Sequence, residues 1–190
     1  MGMIQTIKLI NQIEADGIIG RYAIEGAFAA SYYVEPTLTE DLDILVSFET
    51  ASAQTKSGII VLDPIFSYLK KKGYEEFRKE GIVIEGWPVQ FIPVANDLDA
   101  EALVSAREVD IDDMGGSVRT RVLSPEHIVA ICLRVGRAKD FVRITQFLEE
   151  NVPDMPLLCG LLHRHGLTES WRTFCFRNNI PDPCNMISKA

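Results

Sequence analysis

The chain contains no apolar run approaching the roughly 20 residues needed to span a bilayer, and its N-terminal stretch MGMIQTIKLINQIEADG lacks the apolar core of a signal peptide. It is also short of positive charge: 19 basic residues face 27 acidic ones, a net charge of −8. So acidic a surface repels a phosphate backbone in general and excludes a nucleic-acid-coating role, while leaving room for a local basic pocket for one nucleotide or one RNA end. The four cysteines, Cys132, Cys159, Cys175 and Cys184, form no C-x-x-C pair, so neither a zinc ribbon nor thioredoxin chemistry is indicated. Cys159 and His163 share a helical face but His165 points elsewhere, too few ligands for zinc. No internal repeat or low-complexity segment occurs. A cytoplasmic protein of bacterial style, with buried reduced thiols and no membrane association, is the expectation.

What is present is enough apolar character, 47% of 190 residues, for one packed domain or a domain with a small appendage. Ile4, Ile7, Leu9, Ile10 and Ile13 predict a first amphipathic helix, closed by Asp16-Gly17. Arg21–Ile24 reads as a strand, Ala27–Tyr33 as a helix ended by Glu35-Pro36, and Asp41–Val46 as a second strand. Residues 49–58 read as a polar loop and Pro64–Phe77 as a helix broken at Gly73. Two strands, Gly81–Glu85 and Pro88–Val94, are joined by a hairpin at Gly86-Trp87. Asp97–Arg107 predicts a helix, Asp112–Gly116 a turn and Val118–Leu123 a strand. Ser124-Pro125-Glu126 is a helix start with an N-cap serine and a first-turn proline. That helix runs to Val135, and helices at 138–150, at 157–165 and around Trp171 follow. The fold class is therefore α+β with an α/β-like core, a mixed β-sheet flanked by helices. Residues 1–123 form the core and 124–190 a helical C-terminal region.

The chemistry concentrates between Tyr22 and Val46. A glycine where a strand passes into a helix, Gly26, lets a ligand approach the backbone, and helix-start N–H groups hold phosphate oxygens. Fifteen residues on, Asp41 and Asp43 stand at i and i+2 of a strand and point to one face, roughly 6.6 Å apart along the backbone. That spacing suits one Mg²⁺, or a pair of ions about 3.5–4 Å apart. Bland alternatives are a solvated acidic strand edge and a packing glycine; the apolar neighbours Leu42, Ile44 and Leu45 favour the metal reading. Lys70-Lys71-Lys72 reads as a solvated face, Phe28, Tyr32 and Tyr33 as core, and His127 as structural.

The segment YAIEGAFAASYYVEPTLTEDLD, residues 22–43, resembles the core motif of polymerase-β-like nucleotidyltransferases. More narrowly it resembles the bacterial branch that includes AbiEii-type abortive-infection toxins. Gly26-Ala27 takes the Gly-Gly/Ser place and Thr39, Asp41 and Asp43 the Thr-x-Asp-x-Asp place. Gly136-Arg137-Ala138-Lys139-Asp140 resembles the family's basic helical stretch. The likeness covers residues 5–150 and is strongest over 22–46. It implies a nucleotidyltransferase fold and Asp41 and Asp43 as catalytic metal carboxylates for Mg²⁺ or Mn²⁺. It further implies an NTP bound by Gly26, Ala27, Thr39, Arg137 and Lys139, with Asp140 as an ion-pair partner. Two positions depart from the pattern: Ala27 carries no hydroxyl, and Gln90 stands where a third carboxylate is expected. An amide brings no charge and no base; Glu85, Asp110 and Asp112 are the substitutes considered. Two functions follow. One is transfer of a nucleoside monophosphate from an NTP to a hydroxyl on RNA, protein or a small molecule. The other is a non-catalytic nucleotide- or partner-binding protein of a toxin–antitoxin system with a cognate antitoxin.

Overall fold

The structure, a computed structural model, describes residues 2–36, 39–48, 62–113 and 116–187. The loop expected at 49–58, and residues 114–115 of the expected turn, lie outside them. The chain divides into two compact units, Met1–Ala29 with Thr37–Leu123 and Ala30–Pro36 with Ser124–Ala190.

The first unit opens with α1 (Met3–Ala15), whose isoleucines at 4, 7, 10 and 13 are fully buried. Each such side chain contributes about 1.5–3 kcal/mol through burial. Then follow β1 (Tyr22–Glu25), the short α2 (Gly26–Ala30), β2 (Leu42–Val46), α3 (Asp63–Lys71), β3 (Phe77–Arg78), β4 (Gly81–Ile84), β5 (Trp87–Pro93), α4 (Asp97–Val104), β6 (Arg107–Asp113) and β7 (Gly116–Val122). The strands form one mixed sheet in the order β3-β4-β5-β2-β1-β7-β6, parallel at β2–β5 and β1–β7 and antiparallel elsewhere.

Tyr22 fixes which face is which. Its side chain lies on the α1 side of the sheet, where its hydroxyl donates to Asn11 of α1 and meets Thr120 at 2.9 Å. Burial pushes that hydroxyl up to about 12. Alternation then sends Ala23 and Glu25 to the opposite face. The register pairs Glu25 with Asp43 and Asp43 with Gln90, so these three form a row across β1, β2 and β5 on that face.

Several elements differ from the sequence expectation. The second helix spans Gly26–Ala30 rather than 27–33. α3 stops at Lys71, and Phe77, expected at its end, belongs to a strand. The hairpin turn is Glu85-Gly86, both with positive φ (50° and 92°), one residue earlier than expected. Arg107 opens a strand instead of closing a helix, and Asp112 and Asp113 lie in that strand, paired with Ser117 and Gly116.

The second unit is helical: α5 (Pro125–Val135), α6 (Ala138–Glu149), α7 (Met155–Arg164), α8 (Thr168–Arg177) and α9 (Pro183–Ile187), with residues 30–36. Ser124 caps α5 by accepting from the His127 N–H and also meets His127 Nδ1 at 2.9 Å. α5 ends at Gly136 in the left-handed conformation. Trp171 is fully buried and donates its indole N–H to Asp182 at 3.0 Å. The expectation of four reduced thiols is corrected, because Cys159 of α7 is disulfide-bonded to Cys184 of α9. Only Cys132 and Cys175 are free, both buried. Burial raises both thiols, that of Cys175 to about 11.

Candidate nucleotide and metal site

β1 runs straight into α2 through Gly26, which takes φ +68°. Two constraints act there together. The left-handed backbone penalises any side chain, and a Cβ would stand 3.1 Å from the Asp43 Cγ and closer still to its Oδ2. The carboxylate of Asp43 therefore lies against the bare α-carbon of the strand-to-helix glycine. That contact follows from the antiparallel β1–β2 register, in which Glu25, the residue before Gly26, pairs with Asp43.

Asp41 precedes β2 and alternates onto the same face as Asp43. Both aspartates are half-buried. The Thr39 hydroxyl donates toward the Asp41 backbone carbonyl and toward its Oδ1, each at 3.1 Å, which fixes the carboxylate's direction. Thr39 thus acts on Asp41 through its hydroxyl, which the residue pattern alone did not specify.

Thr39, Asp41 and Gln90 line a cleft of about 560 Å³ with residues that sequence reasoning did not select: Glu40, Arg78, Lys79, Glu80, Gly81 and the Gly86-Trp87-Pro88 corner. Lys79 occupies the first position of the two-residue turn between β3 and β4, with φ 55°, a conformation that a lysine adopts at a cost. Its ammonium contacts Glu40 at 2.8 Å. That hydrogen bond raises Lys79, with the charge of Asp41 adding, and lowers Glu40. Beside it, the Gln90 amide donates to Glu80 Oε2 at 3.1 Å. Two cations and three carboxylates thus line one cleft with Trp87. The sheet order brings the β3–β4 turn there, so no short-range motif announces it.

The substitutes considered for the third acid are elsewhere. Glu85 sits at the β4–β5 turn, where it accepts from the Tyr74 hydroxyl. Asp110 and Asp112 lie on β6, three strands from β2 or roughly 14 Å at ordinary strand spacing. Asp110 pairs there with Arg119 at 3.3 Å. Arg137 and Lys139 belong to the helical unit. Arg137 forms a two-pronged pair with buried Asp140, at 2.8 and 3.1 Å, and its backbone N–H is also received by that carboxylate at 3.1 Å. Asp140 therefore positions Arg137, as the sequence suggested, while Lys139 is exposed in the first turn of α6.

The donor set can be weighed against Mg²⁺. Among the described residues no group of three or more His, Cys, Asp and Glu is placed to hold a metal ion. Mg²⁺, however, is commonly held by one or two carboxylates together with substrate phosphates and water, not by an all-protein cage. Asp41 and Asp43, two carboxylates two residues apart at the start of β2, fit that manner of binding.

No family model and no curated protein matches the chain. Among solved structures it is similar to an antigenic nucleotidyltransferase-like protein from Paracoccidioides brasiliensis, at 17% identity and TM-score 0.45 over 81% of this chain and 76% of that one. It is also similar to ANT(2'')-Ia in complex with adenylyl-2''-tobramycin, at 14% identity and TM-score 0.44 over 92% of this chain and 98% of that one. The solution structure of the antibiotic-resistance factor ANT(2'')-Ia gives 15% identity and TM-score 0.43 over 93% and 92%. At this distance the likenesses transfer no residue role.

Proposed function

We propose that this protein transfers a nucleoside monophosphate from an NTP to a hydroxyl acceptor, with Mg²⁺ or Mn²⁺ held by Asp41 and Asp43. One observation carries this reading: the β1–β2 register sets the Asp43 carboxylate against the α-carbon of Gly26, so a candidate metal carboxylate and the strand-to-helix turn are brought together. Thr39 keeps Asp41 aimed, and both line the cleft with Gln90, the strand partner of Asp43. In this reading the backbone at Gly26 and Ala27 receives a phosphate. Lys79 supplies a cation at the cleft wall and Trp87 an aromatic surface for the base or the acceptor. A bound divalent ion would neutralise charge at the reacting phosphorus. For Arg137 and Lys139 the motif likeness alone argues triphosphate contact, and Lys139→Ala tests it through the KM for NTP.

A second reading has its own observation. Gln90 pairs with Asp43 where an acid is expected, and an amide accepts no proton. This favours a non-catalytic protein that keeps the pocket and binds a nucleotide or a cognate partner. Incubation with α-labelled NTPs, Mg²⁺ and cell extract separates the two. Label transfer by the wild type that is abolished in Asp41→Ala/Asp43→Ala supports the enzyme. Absence of transfer, or its survival in the double variant, removes that reading.

A further inference from the structure

We propose that Glu80 is the proton acceptor of the transfer reaction, held over the cleft by Gln90; this rests on the nucleotidyltransferase reading above. The strand position beside Asp43 is filled by Gln90, which shares the face of Asp43 and donates its amide N–H to Glu80 Oε2 at 3.1 Å. Glu80 is the second residue of the tight β3–β4 turn, and it lines the same cleft as Thr39, Asp41 and Gln90. The carboxylate absent from β5 is thus supplied one side chain further out, with the amide as its bracket. Other acids nearby are less suited. Glu40 is engaged by the Lys79 ammonium at 2.8 Å, whereas the hydrogen-bond partner of Glu80 is the uncharged Gln90 amide.

In the step, the acceptor O–H gives its proton to Glu80 Oε1, the oxygen not engaged by Gln90. The acceptor oxygen forms a bond to the α-phosphorus of the NTP. The bond from that phosphorus to the oxygen bridging to the β-phosphate breaks, and pyrophosphate leaves with that electron pair. Glu80 returns its proton to water. Nothing is oxidised or reduced. Gln90 is a positioning residue, since it touches Glu80 and not the acceptor.

The test measures label transfer from α-labelled ATP with Mg²⁺ and cell extract across pH 4–9 for the full chain, Glu80→Gln, and Glu80→Gln/Gln90→Glu. Removing a general base costs about 10²- to 10⁴-fold. The expected result is a loss of that size in kcat for Glu80→Gln with unchanged KM for ATP. At least tenfold returns when the acid is restored at position 90. A Glu80→Gln protein that transfers at the wild-type rate with the wild-type pH profile overturns the role of Glu80 alone. A wild type that transfers nothing overturns nucleotidyl transfer, and this role with it. Glu80 is exposed, so loss of fold is not the expected cause of an effect; circular dichroism of each variant verifies this.

Discussion

The tightest demands in the candidate site fall on single residues. Gly26 is held by its backbone and by its neighbour at once: φ is +68°, and the Asp43 carboxylate fills the space that a Cβ would need. Gly26→Ala is expected to cost about 1–2 kcal/mol in thermal unfolding from the left-handed backbone alone. The same change pushes Asp43 aside and weakens Mg²⁺–ATP binding at least tenfold in calorimetry. A variant with wild-type melting and wild-type affinity contradicts the geometry. Thr39 acts one step further out. Thr39→Val keeps the shape but removes the donor that holds Asp41. Supporting residues of this kind typically change metal affinity by about 10- to 100-fold, so a titration with Mn²⁺ should show a loss in that range with little change in melting temperature. Gly26, Thr39, Asp41 and Asp43 were all legible in the sequence, because a strand, its turn and the next strand keep them within 18 positions. Lys79, Glu80 and Trp87 were not, because they reach the cleft only through the β4–β5–β2 pairing, which no local spacing encodes.

At the scale of elements, the helices whose apolar residues recur at helical spacing were legible, and so were β1 and β2. β6 was not. Its sequence REVDIDD carries acids at four of seven positions, and most of its side chains are exposed. As an edge strand it is held by its ladder with β7 rather than by a buried face of its own, so its composition reads as a turn. The α7–α9 disulfide was equally hidden, since Cys159 and Cys184 are 25 residues apart and carry no local signature. Closing a loop of that length stabilises by about 3.5 kcal/mol in the chain-entropy picture. Cys159→Ser/Cys184→Ser, or reduction of the wild type, should therefore lower the melting temperature of the helical unit. If the melting temperature is unmoved by a reductant that demonstrably frees both thiols, the bond is not structural.

For the molecule as a whole, the alkaline limit is set in part by Tyr22, buried beneath α1. Its hydroxyl ionises near 10 in an unfolded chain and near 12 in the fold. Below pH 10 both states are protonated. Between about 10 and 12 the unfolded chain holds fewer protons, so stability falls as pH rises through that window. In denaturant titrations, Tyr22→Phe should be less stable at pH 7, having lost the bonds to Asn11 and Thr120, but should lose less than the wild type between pH 10 and 12. Equal slopes would mean that Tyr22 ionises freely in the fold. Calorimetric titration of ATP into the full chain, with and without Mg²⁺, for wild type and for Asp41→Asn/Asp43→Asn, reads the metal and nucleotide site itself. The site built from Gly26, Asp41 and Asp43 predicts binding that requires the metal and is lost in the double variant at unchanged fold. Absence of binding in the wild type, or binding indifferent to both the metal and the two aspartates, would contradict it.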